Sequence, residues 1–233
     1  MEKMIEIIDF CAGYQRGVDV ISGINLAIDK GEAIGIVGKN GCGKSTLSKA
    51  LVGLTPFRSG SLLLCGRSVM QLPVDQMQSE GVSIMLQGGR VFTNLTVWEN
   101  YQLASRQIKD NKIKQKIIDI VPLLHDAKKS WLNKGADKLS GGERHQLALA
   151  MALASARNVL ILDEPSAGLM PSAAEGLYAI LQKVRETFNT TLLVVEQNVK
   201  RVECFATRMV FMDDGKIVYQ GNDIDHIEEL MLK

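Results

Sequence analysis

Apolar positions change rhythm along this chain, and each rhythm predicts an element. Over residues 5–28 they recur with strand character, at Ile5, Ile7, Ile8 and Phe10 and again at Val18, Val20 and Ile21, with turn chemistry near Gly13 and Gly17 between them. This predicts an antiparallel β layer. Ala33-Ile-Gly-Ile-Val37 is a short apolar strand that meets a glycine cluster, after which Leu47, Ala50 and Leu51 fall at helical spacing until Gly53 ends the run. Residues 83–86, 159–162 and 191–195 are apolar apart from Ser83 and Thr191 at their starts, as strands of a parallel sheet covered on both faces are. Between about Leu95 and Ala156 the pattern is helical throughout, with Ile113, Ile117, Ile120, Val121 and Leu124 on one face and lysines opposite. Met209-Val-Phe-Met212 and Lys216-Ile-Val-Tyr219, joined by Asp213-Asp-Gly215, predict a closing hairpin.

Strands alternating with helices give an α/β fold: a mostly parallel sheet, an N-terminal antiparallel β layer and an inserted helical subdomain. One domain is expected over 1–233, with the sheet core and β layer at 1–87 and 157–233 and the helical subdomain at 88–156.

Composition narrows the partners. Lys and Arg total 27 against 26 Asp and Glu, a net charge of +1, so the basic field that nucleic-acid binding needs is missing and no nucleic-acid partner is expected. Cys11, Cys42, Cys65 and Cys204 show no metal-ligand spacing, and a chain this large and apolar needs no disulfides, which fits a reducing cytoplasm. The opening Met1-Glu-Lys-Met-Ile-Glu mixes charges unlike a signal peptide, so the mature chain is expected to start at Met1. No apolar run approaches the roughly 18 residues of a membrane span, and any membrane connection is expected through a partner.

Chemistry concentrates in three segments. Gly38-Lys-Asn-Gly-Cys-Gly-Lys-Ser45 fits G-x-x-x-x-G-K-[ST] and sits between a buried strand and a helix. Around Asn40 and Cys42, the glycines Gly38, Gly41 and Gly43 let successive N–H groups turn toward phosphate oxygens, and the helix N-terminus adds partial positive charge. Lys44 is expected on the β- and γ-phosphates, Ser45 on Mg²⁺ and Thr46 as a further donor. Asp163-Glu164 ends a buried strand, where Asp163 is the candidate to hold Mg²⁺ through water and Glu164 the general base for an attacking water. In Leu139-Ser-Gly-Gly-Glu143, Ser140 and Glu143 fit a capping box, while Gly141 and Gly142 leave the first N–H groups of a helix uncovered as a second anion site.

In that order, these three segments resemble the ATP-binding cassette (ABC) family, and the resemblance covers nearly the whole chain. It implies an ATPase that uses ATP and Mg²⁺, turns ATP into ADP and phosphate, and couples this to transport across a membrane. It also implies a head-to-tail dimer in which Ser140-Gly-Gly142 of one cassette faces the phosphate loop of the other. Tyr14 falls where the family stacks an aromatic ring on adenine, and Gln87 where it has a glutamine contacting Mg²⁺ and the attacking water. Gly88-Gly-Arg-Val-Phe92 and Thr96-Val-Trp-Glu-Asn100 correspond to a groove for a helix of the membrane subunit, although Trp98 also fits plain core.

Two positions depart from the family pattern. Gln197 stands where most members have a histidine near the γ-phosphate; an amide donates a hydrogen bond but carries no proton, so its expected role is positioning. Met170 replaces an aspartate common in its loop. With Gly88-Gly-Arg-Val-Phe92 and Val195-Glu-Gln-Asn198 these look like the ATPases of branched-chain amino acid importers and their amide- or urea-importing relatives. The implied partners are permease subunits, a second cassette in a homo- or heterodimer, and a substrate-binding protein, at the cytoplasmic face of the membrane. The alternative is a soluble ABC ATPase of DNA repair, translation or assembly. Such proteins carry long coiled-coil insertions, paired cassettes or a basic surface, none of which this sequence shows.

Overall fold

The computed structural model describes residues 2–125, 133–156 and 158–232. The start at Met1, the helical expectation over 126–132 and the boundary at 157 lie outside the described residues. In chain order the elements are β1 (Lys3–Gly13), β2 (Ile21–Asp29), β3 (Ala33–Gly38), α1 (Lys44–Leu51), β4 (Phe57–Leu64), β5 (Arg67–Ser68), α2 (Val74–Ser79), β6 (Val82–Met85), α3 (Val97–Ala104), α4 (Asn111–Ile120), α5 (Pro122–His125), α6 (Gly141–Ser155), β7 (Val159–Asp163), α7 (Pro171–Phe188), β8 (Thr191–Glu196), α8 (Val199–Glu203), β9 (Arg208–Asp213), β10 (Lys216–Gly221) and α9 (Ile224–Leu232).

Two sheets form. The larger has the order β10-β9-β3-β8-β7-β6, parallel except for β10, and the smaller is antiparallel in the order β2-β1-β4-β5. This is the α/β architecture expected, with the antiparallel layer at the N-terminus. Alternation along the buried strands divides the core in two. Ile34, Ile36, Ile161, Leu193 and Val195 pack with α1 and the small sheet. Ala33, Val37, Leu160, Leu162, Leu192 and Val194 pack with α3, α6, α7 and α8. Each such Ile, Leu or Val contributes about 1.5–3 kcal/mol when fully buried, which is why strands covered on both faces read as unbroken apolar runs.

Three local expectations are corrected. Val18 and Val20 are not strand residues: a bridge between Gln15 and Val18 and positive φ at Gly17 close a turn there, leaving both side chains exposed. The span from 95 to 156 is not one helical run, since Asp110 caps α4 and the chain turns extended at Val121 before α5. Within α4, Ile117 is buried, but Ile113 lies exposed on a shallow cleft with Ile108 and Ala156. Strand β4 was outside the predicted set because only its second half, Leu62 and Leu64, carries a buried alternation; it pairs with β1 through Ile5–Leu64 and Ile7–Leu62.

Candidate functional site

All the predicted catalytic positions sit at the carboxyl edge of the large sheet. The loop after β3 starts with the exposed crest of Asn40 and Gly41 and reaches α1 at Gly43, whose φ of 100° and ψ of 0° disfavour any residue with a Cβ. A Cβ on Gly43 would also lie 2.6 Å from Ile21 Cγ2. No side chain caps α1, so its first N–H groups remain free to meet an anion. The loop is fastened from outside: Gly215 N donates to Cys42 O at 3.0 Å, and Ser22 N donates to Gly215 O at 3.0 Å. Lys44 is buried and folds back to donate to Gly38 O at 2.7 Å and Lys39 O at 2.8 Å. Thr46 is buried behind it, and Cys42 Sγ lies 3.9 Å from Lys44 Nζ, its thiol pushed up by burial.

Ser45 Oγ donates to Asp163 Oδ1 at 2.7 Å, which joins the phosphate loop to the end of β7. Asp163 is 1% exposed, and burial pushes its carboxyl up, opposed by the Ser45 bond and the charges of Lys49 and Lys44. A raised folded-state value means the native state holds this proton more tightly than the unfolded chain, so its effect on stability weakens the fold as pH rises through that window. Asp163→Asn, which keeps an acceptor for Ser45, is therefore expected to melt higher than the parent at pH 7 in metal-free buffer. The difference is expected to shrink as pH falls into the carboxylate range, as paired thermal melts would show.

Glu164 follows with a φ of 48°. Its N–H donates to Val195 O at 2.9 Å, and its carboxylate receives two amides, Gln87 Nε2 on Oε2 at 2.7 Å and Gln197 Nε2 on Oε1 at 2.9 Å. Loops after β6, β7 and β8 thus converge on one carboxylate. Adjacent carboxylates at a strand end are costly, and here Ser45 at the start of α1 and the amides of two loops offset that cost.

The remaining predicted residues lie apart. Tyr14 is half-exposed in the β1–β2 turn; the end of that turn, at Val20, abuts Gly43 and Gly215. Ser140 and Glu143 form a full capping box, Ser140 Oγ accepting from Glu143 N at 3.3 Å and Glu143 Oε2 from Ser140 N at 2.7 Å. Gly142 has a reason inside the chain, since a Cβ there would press on Ala173 at 3.2 Å. Gly141 has none, its Cβ position meeting only Leu169 at 3.8 Å. The segment expected to line a groove divides: Arg90 and Phe92 border an apolar cleft of about 400 Å³ with Val74, Leu103 and Met151. Thr96 instead caps α3, Asn100 is buried and clamps Phe92 by its backbone, and Trp98 packs on Tyr101.

The sequence model of the ABC transporter family matches residues 21–167, more than half of the chain. The chain belongs to the ABC transporter family. A probable branched-chain amino acid transport ATP-binding protein of Archaeoglobus fulgidus is 34% identical over 228 residues, covering 97% of this chain and 94% of that protein. A high-affinity branched-chain amino acid transport ATP-binding protein of Pseudomonas aeruginosa is 31% identical over 213 residues, 90% of this chain and 89% of its own. A spermidine/putrescine import ATP-binding protein of Thermotoga maritima is also 31% identical, over 90% of this chain and 56% of that longer protein. Among solved structures, a dimeric ATP-binding cassette in a post-hydrolysis state with ADP and phosphate shares the fold, with a TM-score of 0.78 and 21% identity over 93% of this chain and 97% of that one. This ABC chain is the ATP-binding, ATP-hydrolysing subunit of a transporter. No helix among its described residues is long and apolar enough to cross a membrane.

One buried group beside the site is not signalled by the sequence patterns. Glu196, taken there only as a letter of Val195-Glu-Gln-Asn198, is a buried carboxylate bonded to Ser166 and Tyr178. The signal available was a charged residue continuing an apolar strand run.

Proposed function

We propose that this ABC ATPase powers an importer of branched-chain amino acids from the cytoplasmic face of a membrane, bound to permease subunits and paired with a second cassette. The observation that carries the chemical part is the Glu164 carboxylate, held at both oxygens by Gln87 and Gln197 beside the Ser45–Asp163 pair. Each carboxylate oxygen has two lone pairs, so one on each remains for an attacking water, and Glu164 is assigned as the general base that takes its proton. The free N–H groups at the start of α1 and the Lys44 ammonium bind the phosphates. Lys44 reaches them by leaving Gly38 O and Lys39 O. Gln197 orients Glu164 and carries no proton itself.

Ser45 Oγ, the Asp163 carboxylate and the amide oxygen of Gln87 form an all-oxygen donor set of the hard type that suits Mg²⁺. That ion would supply charge neutralisation on the β- and γ-phosphates. Tyr14, exposed in the β1–β2 turn whose end abuts Gly43, is assigned to adenine. Gly141, which the chain's own packing does not require, fits a surface that closes on the nucleotide of a partner cassette. Residues 88–156 are read as the helical subdomain, and the cleft bordered by Arg90 and Phe92 as the permease dock. The two branched-chain relatives support the substrate class.

The test is a pull-down of the tagged protein from native membranes in mild detergent, with bound chains identified by mass spectrometry. A multi-span permease encoded with a branched-chain amino acid binding protein is the expected result. A permease serving polyamines would overturn the substrate, and soluble nucleic-acid or ribosomal partners would overturn transport itself.

A further inference from the structure

Beside the catalytic carboxylate, and not used by the mechanism above, lies a second buried one. Glu196 ends β8 and is 4% exposed. Its Oε1 accepts from Ser166 Oγ at 2.6 Å, from Ser166 N at 3.2 Å and from Tyr178 OH at 2.7 Å. Arg201 on α8 joins this network through Ser166, its Nη1 donating to Ser166 Oγ at 2.7 Å. Burial pushes the Tyr178 hydroxyl up, and the Glu196 charge adds to this, so the phenol stays a donor. A carboxylate at this depth is costly to keep, and the strand residues before it, Leu192 to Val195, are all apolar. The core does not need a charge here, so its use is to be sought in what it holds.

What it holds is the turn that begins at Glu164. That turn is pinned to β8 at two points, by Glu164 N on Val195 O at its start and by Ser166 on Glu196 two residues later. Between them the backbone at Glu164 takes its φ of 48°, a conformation that persists only where the surroundings fix it. Residue 197, next along the chain, places its amide 2.9 Å from Glu164 Oε1. We propose that Glu196, with Ser166, Tyr178 and Arg201, is a positioning cluster that fixes the turn after Glu164 against the end of β8, and so sets the distance between the Gln197 amide and the catalytic carboxylate. The same turn ends at Met170, whose side chain is 74% exposed.

The inference rests on Glu164 as the base, and the experiment separates the two. ATP turnover is measured against ATP concentration for the parent, Glu164→Gln, Glu196→Ala, Glu196→Gln, Tyr178→Phe, Gln197→Ala and the Glu196→Ala/Gln197→Ala double variant, with nucleotide affinity from a fluorescent analogue and folding from thermal melts. Displacing a catalytic group by about 1 Å can cost roughly a hundredfold, so Glu196→Ala is expected to lower kcat at least about tenfold with KM and nucleotide affinity within about twofold. Glu196→Gln keeps an acceptor for Ser166 and Tyr178 and is expected to restore most of the loss. If Glu196 acts through Gln197, its Ala variant costs much less in the Gln197→Ala background, whereas a merely structural role would add in full.

A folded Glu196→Ala enzyme with kcat within about twofold of the parent, beside an inactive Glu164→Gln, overturns this inference alone. So does a loss carried entirely by KM. A Glu164→Gln enzyme that turns over normally removes the base assignment and this inference with it. If Glu196→Ala does not fold, Tyr178→Phe decides, because it keeps the ring and removes one bond: a kcat about threefold lower with unchanged KM supports the cluster, and an unchanged kcat refutes it.

Discussion

Glu164→Gln is expected to slow steady-state ATP hydrolysis by roughly 10²- to 10⁴-fold, the range general-base catalysis contributes, while ATP still binds. The substitution removes the proton acceptor and almost nothing else. An amide of the same shape keeps one oxygen for a donor, but its NH₂ then faces the NH₂ of Gln87 or Gln197, and that neighbour must turn its own amide over to restore the bond. The phosphate loop, Lys44 and the Ser45–Asp163 pair are untouched. Because ATP would bind without being consumed, a cassette that dimerises on ATP is expected to accumulate as the dimer, visible as an ATP-dependent shift in size-exclusion chromatography. Undiminished turnover, measured as phosphate release, would refute the assigned base.

Most of the sheet was legible because burial on both faces leaves few polar positions: 159–162 and 191–195 read as strands from their nearly unbroken apolar runs and are strands. The site was legible for a related reason. Phosphate binding needs Gly43 where only glycine fits, and hydrolysis needs carboxylates at a strand end, so chemistry writes itself into rare local patterns. Illegible positions were those set by one particular partner and not by the periodicity of their own segment. β4 depends on β1, some fifty residues earlier, for its register, and its exposed first half carries no alternation. Val18 and Val20 have strand propensity, but a bridge across Gly17 turned the chain first. Asn100 read as part of a docking groove, yet it is buried by contacts to Phe92, eight residues away. Glu196 is the extreme case: its meaning depends on Ser166, Tyr178 and Arg201, on three different segments, and no periodicity within one segment can announce it.

Lys44→Ala is expected to remove most nucleotide affinity while leaving the fold nearly as stable. Hydrogen bonds to charged groups are worth about 1.5–3 kcal/mol each, and an ammonium bridging β- and γ-phosphates makes at least two of them. Losing about 3–6 kcal/mol corresponds to a weakening of roughly 10²- to 10⁴-fold. The ligand-free protein loses less, because the ammonium there donates to Gly38 O and Lys39 O, with a long contact to Cys42 Sγ, beside an exposed crest where water can take over as donor. The contrast is measurable in one set of melts. At an ATP concentration of about 100 times the parent's Kd, binding adds about 2.7 kcal/mol of stability to the parent, whereas a hundredfold weaker variant gains only about 0.4 kcal/mol. The parent should therefore show a clear ATP-dependent rise in Tm and Lys44→Ala almost none, starting from nearly the same Tm without nucleotide. An ATP-dependent rise preserved in full would mean that the phosphates are held elsewhere, and with them the whole placement of Ser45, Asp163 and Glu164 around the nucleotide would have to move.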